Sequence, residues 1–109
     1  MERGEVYWVN LDPTVGNEVQ MVASKVKQRR PAVILSPDEM NRSLPVVIVA
    51  PITSSKKPWP TRADIKLSGK TGQIMLDQIR TVDKTRLTKR IAEVDVAEVL
   101  DALQIMFTP

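Results

Sequence analysis

Three polar clusters, each set at the end of an apolar run, hold the residues best suited to chemistry. Arg29-Arg30 precedes Pro31-Ala32-Val33-Ile34-Leu35, Thr53-Ser54 follows Val46-Val47-Ile48-Val49-Ala50-Pro51-Ile52, and Asp77-Gln78 with Arg80 flanks Ile79. A guanidinium, a hydroxyl pair and a carboxylate brought together suit a phosphate better than a sugar or an acyl group. Arg presents a planar fork that matches two phosphate oxygens. The expected chemistry is the handling of nucleic acid, with strand cleavage as one form of it. The chain has no histidine and no cysteine. Any catalysis must therefore run on carboxylates, Arg, Lys, Ser, Thr or Tyr, and neither a transition-metal site nor a cofactor is expected.

Each candidate has a plainer reading beside the functional one. Arg30, held extended by Pro31, is a phosphate clamp or a surface arginine on an edge strand. Thr53 and Ser54 bond a phosphate or ribose oxygen, or satisfy backbone groups in a strand-end turn. Asp77 is unusual inside a strand and is either a site carboxylate or a salt-bridge partner of Arg80 or of a neighbouring strand. Asn17 and Glu18, beside Gly16, approach a ligand from a long loop or are solvated there. Trp59, flanked by Lys56, Lys57 and Arg62, has the aromatic-with-basic pattern of a base-stacking platform; a hydrophobic plug or a partner contact fits equally.

The elements that must position these groups are mostly strands. Val6–Leu11 reads as a strand stopped by Asp12-Pro13, and 14–28 as a long loop. Ala32–Leu35 is a second strand, followed by a short helix with Ser36 as N-cap, Pro37 at the first position and Glu39 closing a capping box. Val46–Ala50 is an unbroken apolar run, the most buried strand by composition. Ser54–Pro60 is an exposed loop. Ala63–Leu67, a turn at Ser68–Gly72 and a long strand Gln73–Thr81 form a hairpin. Asp83 caps a single helical turn, and Arg90–Val94 is the final strand. Asp95, with Glu98, caps a terminal helix whose apolar face is Val96, Val99, Leu100, Leu103, Met106 and Phe107. The fold expected is mainly β with a C-terminal helix, a strongly bent antiparallel sheet or SH3-like barrel, in a single domain spanning 1–109.

The net charge of +3 conceals a strong asymmetry. Residues 1–18 hold one basic and four acidic side chains, 19–90 fifteen basic and five acidic, and 91–109 four acidic and none basic. A basic middle is the footprint of a polyanion binder, although Lys25, Lys27, Arg29 and Arg30 read equally as solubilising charges. The N-terminus does not look like a signal peptide, and no run approaches the roughly eighteen apolar residues of a membrane span. A cytoplasmic location is expected.

The order of the motifs resembles the MazF/PemK toxin family of bacterial toxin–antitoxin systems. The likeness runs from Arg3-Gly4-Glu5 through Leu11-Asp12-Pro13-Thr14, Arg30-Pro31-Ala32-Val33, Asn41-Arg42 and Ala50-Pro51-Ile52-Thr53-Ser54 to Asp77-Gln78-Ile79-Arg80-Thr81-Val82-Asp83. The resemblance implies an SH3-like barrel of the MazF/Kid/CcdB type, usually a homodimer. It also implies metal-independent, sequence-specific endoribonuclease cleavage of single-stranded RNA, mostly mRNA, and growth arrest relieved by a cognate antitoxin with an acidic, flexible tail. The family's catalytic arginine falls on Arg30 and its catalytic threonine on Thr53. Asp77 matches a carboxylate position of some members, and Gln78 and Arg80 share its motif. With Asn17, Glu18, Ser54 and Lys56, these are the residues expected to contact RNA.

Two departures stand out. The segment between Glu18 and Arg30 is longer than the usual family loop. Asn17 and Met75 stand where some relatives carry His and Arg, so a mechanism built on those two is not carried over. The mechanism expected is attack of the ribose 2′-hydroxyl on the adjacent phosphorus, with Glu18 or Asp77 as possible bases. One alternative is a same-fold toxin that inhibits DNA gyrase, a branch that typically ends in Trp-Gly-Ile where this chain ends Phe107-Thr108-Pro109. The other is a non-catalytic RNA-binding barrel.

Overall fold

The computed structural model describes residues 1–11 and 29–109; the whole of the expected long loop 14–28, with Asn17 and Glu18, lies outside the described residues. Among the described residues seven strands and two short helices follow in order: β1 Glu5–Asn10, β2 Arg29–Ile34, α1 Asp38–Ser43, β3 Val46–Thr53, β4 Arg62–Leu67, β5 Lys70–Met75, β6 Arg80–Asp83, β7 Leu87–Glu93 and α2 Ala97–Met106. The sheet runs β4-β5-β3-β2-β1-β7, with β6 also paired to β3. β5 and β6 share one edge of β3, the first taking Ile52–Thr53 and the second Val46–Val49. A single 3-10 turn, Lys84–Arg86, joins β6 to β7. The strands β6-β3-β2-β1-β7 thus curl into a half-barrel whose gap is spanned by a turn. Arg86 fastens that turn by donating from Nη1 to the Asn10 carbonyl at 3.0 Å.

Alternation along β2 and β3 divides the core between two faces. Val9, Ala32, Ile34, Val47, Val49, Val82 and Leu87 fill the inside of the half-barrel. Val33, Leu35, Ala50, Ile52, Ile74 and Leu76 form the second cluster with Val96 and Val99 of the terminal-helix segment. Burial on both faces is why Val46–Ala50 reads as an unbroken apolar run.

The expected single strand Gln73–Thr81 is broken by a 3-10 turn at Leu76–Gln78. The break lets the chain move from the C-terminal end of β3 to its N-terminal half, while Leu76 turns fully into the core. Asp77 therefore occupies a turn rather than a strand interior, where its side chain is better tolerated. The expected turn at Ser68–Gly72 is tighter in the fold. Ser68 and Gly69 alone make it, both with positive φ (53° and 79°), as a two-residue hairpin turn requires. Lys70, Thr71 and Gly72 consequently belong to β5.

The expected N-cap at Ser36 is not formed. Pro37 takes the cap position without a side-chain bond. The Ser36 hydroxyl instead donates to Asn41 Oδ1 and accepts the Ile48 N–H at 3.0 Å, while Asn41 Nδ2 donates back to the Ser36 carbonyl. This buried pair ties α1 to β3. The expected Asp95 cap with Glu98 is not formed either: Val96 takes the N-cap position of α2 without a side-chain bond, and Asp95, one residue earlier, accepts the Ala97 N–H on Oδ1 at 3.0 Å. Leu100, Leu103 and Met106 pack on the core as expected, but Phe107 is 71% exposed because the helix has ended at Met106.

Candidate active site

β2 and β3 pair with Ala32 opposite Pro51 and Val33 opposite Ala50. Carried two residues further, that register sets Arg30 opposite Thr53. Thr53 is opposite Gln73 of β5, and Gln73 is opposite Asp64 of β4. Opposed residues share a face of the sheet, so Arg30, Thr53, Gln73 and Asp64 form one polar row across four strands. Pro31 and Pro51 have no N–H to donate, and the β2–β3 ladder extends no further than Ala32–Pro51. Unbound beyond that point, the strand ends part. A cleft of about 480 Å³ opens between them and the tip of the β4–β5 hairpin.

Arg30, Thr53 and Ser54 all line this cleft, with Trp8, Arg29 and Lys70. Arg29, Arg30 and Lys70 are its charged groups, and no carboxylate stands among the described lining residues. Such a lining draws in an anion, and the Asp64 carboxylate of the same row faces the neighbouring hollow instead. Arg29 lies over the Trp8 ring, 5.3 Å from its centroid, a cation–π contact that restrains the guanidinium. The Thr53 hydroxyl accepts the Ser55 N–H at 3.1 Å. It thereby closes the strand-end turn and keeps its own proton to donate. Gly72 makes the close approach of β5 possible, since a Cβ there would meet the Thr53 carbonyl oxygen at 2.8 Å.

Gln73, 6% exposed, holds the loop that follows Thr53. Its Oε1 accepts the Lys57 N–H at 2.9 Å, and its Nε2 donates to the Lys57 carbonyl and to Asp64 Oδ1, each at 3.0 Å. Lys56, on that loop, lines a neighbouring hollow with Asp64, Lys66 and Thr71.

The third sequence cluster does not join the cleft. Asp77 Oδ1 pairs with Arg62 Nε at 3.0 Å and accepts from the Thr61 hydroxyl at 3.2 Å. Partial burial pushes its carboxyl up, but its own backbone N–H, Arg62 and Thr61 outweigh that and hold it below the ordinary 3.8. The salt-bridge reading of Asp77 is the one realised, with Arg62 in place of Arg80. Gln78 and Arg80 are exposed on the turn and on β6, outside the cleft lining. Trp8, Lys70 and Gln73 are contributors that sequence reasoning did not select, and Arg29 was noted there only as part of a basic cluster, without a role at the site. A second arginine beside Arg30 was the available signal for Arg29; the Gln73 clamp depends on a pairing between strands that nothing local announces.

The family model for PemK-like, MazF-like toxins of type II toxin–antitoxin systems matches residues 2–107. Endoribonuclease EndoA of Bacillus subtilis (strain 168) is 39% identical over 114 aligned positions, covering 96% of this chain and 92% of the relative. The crystal structure of MazF (Form-I) from Deinococcus radiodurans superposes with a TM-score of 0.76 at 28% identity, covering 97% of this chain and 94% of that one. A chain of the MazE-MazF (Form-III) structure from the same organism gives 0.68 at 27% identity, covering 97% and 91%.

Proposed function

The chain belongs to the PemK-like, MazF-like toxins of type II toxin–antitoxin systems, and from that premise we propose that it is an endoribonuclease toxin neutralised by a cognate antitoxin. The substrate is single-stranded RNA, chiefly mRNA, cut at a defined sequence so that translation and growth stop. The observation that carries this reading is the cleft itself, lined by Arg30 and Thr53 together with the cations Arg29 and Lys70 and by no carboxylate among the described lining residues.

RNA supplies its own nucleophile. In the proposed step the 2′-oxygen forms a bond to the adjacent phosphorus as the bond to the 5′-oxygen breaks. The 2′-hydroxyl proton leaves to a base, and the departing 5′-oxygen gains a proton. The products are a 2′,3′-cyclic phosphate and a free 5′-hydroxyl, with no net change in atoms or electrons. Arg30 offsets the charge that builds on the phosphate, and Thr53 donates to a phosphate oxygen. Asp77, bound to Arg62 outside the cleft lining, is not the base in this scheme.

The reaction is proposed to need no metal and no cofactor, and to run in the cytoplasm, where mRNA is found. Among the described residues no helix is long and apolar enough to cross a membrane. The antitoxin's acidic tail, ordered as it binds, complements the basic cleft. A homodimer is supported by the family likeness, with exposed Phe107 beside the groove of Leu100, Leu103 and Ile79 as apolar surface for pairing.

A defined RNA incubated with the protein in excess EDTA tests the proposal. Cleavage to cyclic-phosphate and 5′-hydroxyl ends is expected; a strict need for divalent metal ends the scheme. Intact RNA beside a blocked gyrase reaction would point to the gyrase-inhibiting branch, and RNA bound but uncut to a binding barrel.

A further inference from the structure

Trp59 lies outside the cleft, yet the fold holds it on a rigid mount. The residue is 46% exposed and belongs to neither core cluster, so it is not a hydrophobic plug. The Arg62 guanidinium stands over its ring at 4.7 Å from the centroid, and the Lys57 ammonium at 5.6 Å. Arg62 is itself only 7% exposed in its side chain and is pinned to Asp77 Oδ1. The backbone of Lys57 is clamped by Gln73, the residue opposite Thr53. Pro58 and Pro60 restrict the chain on either side of the ring. Arg62 lies two residues along β4 from Asp64, on the face that carries the polar row. The ring is therefore fixed beside the extension of the row that holds Arg30 and Thr53.

An indole held by two cations and open to solvent is a stacking surface for a base whose phosphate the cations can meet. Resting on the nuclease reading above, we propose that Trp59 stacks one unpaired nucleobase flanking the scissile phosphodiester. Lys57 meets the phosphate of that nucleotide. Asp77 is a positioning residue that acts through Arg62, which it holds against the ring.

The test uses a single-stranded RNA that the full chain cleaves, carrying one abasic nucleotide moved stepwise along both sides of the cut. In the wild type, one flanking abasic position raises KM on the order of tenfold, the scale of one base–aromatic stack, and leaves kcat near its starting value. Trp59→Leu raises KM to the same extent on intact RNA and is indifferent to the abasic site at that position. Trp59→Phe retains part of the discrimination. Asp77→Asn reproduces the leucine variant, and Asp77→Glu restores the wild-type profile, a rescue that a purely structural role does not give. Unfolding midpoints confirm that each variant is folded, and the phenylalanine variant serves if the leucine one is not. Identical abasic profiles in wild type and in the folded Trp59 variants overturn the inference while leaving the nuclease intact. A Trp59 variant that loses only antitoxin affinity also overturns it and assigns the ring to the protein partner. A wild type that cuts no RNA overturns both readings together.

Discussion

Arg30 and Thr53 line one cleft only because two strands place them there, and their proposed contributions differ in kind. Arg30→Ala removes the charge proposed to face the phosphate and should lower kcat by on the order of 10²–10³-fold, the usual cost of losing one oxyanion donor. Arg29→Ala, which strips the guanidinium from Trp8, should raise KM more than it lowers kcat. Thr53→Val should lose activity and Thr53→Ser retain it, since only the hydroxyl is asked to donate. Steady-state cleavage of a fluorogenic RNA measures all four, and an Arg30→Ala enzyme with unchanged kcat refutes the assignment. Asp77 makes a separate prediction. Its carboxyl is held below 3.8, so the native state binds its proton more weakly than the unfolded chain does. The stabilisation is complete above the unfolded value and disappears as pH falls through the lowered folded value. Urea midpoints of wild type and Asp77→Asn should therefore differ at neutral pH and converge in acid; a gap that persists in strong acid contradicts the salt bridge.

At the level of elements, Gly72 governs how closely β5 lies against the end of β3. A methyl group there meets a backbone oxygen, which cannot rotate away as a side chain would. Gly72→Ala should cost about 1–3 kcal/mol by overpacking and displace Thr53 from Arg30. Activity should then fall further than the lost stability explains, as paired denaturation and cleavage measurements would show. The strand order around this point was only partly legible beforehand. The apolar runs located β1, β2 and β3, because Val, Ile and Ala at those positions are buried whichever face they take. The strand expected across Gln73–Thr81 concealed its 3-10 turn, since apolar Leu76 and Ile79 border the break and no glycine or proline marks it. Ser36-Pro37-Asp38-Glu39 has the composition of a capping box, yet a buried Asn41 five residues on claims the serine hydroxyl. Local pattern cannot anticipate a competitor supplied by tertiary packing.

For the molecule as a whole, the basic middle of the sequence resolves into a cleft and its approach. Arg29, Arg30 and Lys70 line the cleft, with Lys56 and Lys66 in the adjoining hollow. Three phosphate contacts on a single strand imply a slope of about −2 in log affinity against log salt. Lys70→Ala should make that slope shallower by about 0.7, measured by RNA binding across a salt titration; an unchanged slope removes Lys70 from the track. The charge asymmetry was readable from the sequence, but its focus was not. Lys70 reaches the cleft only because the two-residue turn at Ser68–Gly69 starts β5 earlier than the glycines alone indicated.

β1 lies between β2 and β7, and the contact from Thr88 to Trp8 spans 80 residues of chain. During translation the opening strand must wait, without its outer neighbour, until the closing strand has left the ribosome. Pairings so distant in sequence form late and slowly, and Val9 and Leu87, which share one core cluster, cannot pack together before they do. A nascent chain therefore lacks the outer strand that fixes β1, and with it Trp8 of the cleft. On the nuclease reading, full cutting capacity is expected to arrive with the finished polypeptide, and the interval before it is time in which an inhibitor already in the cell can be waiting.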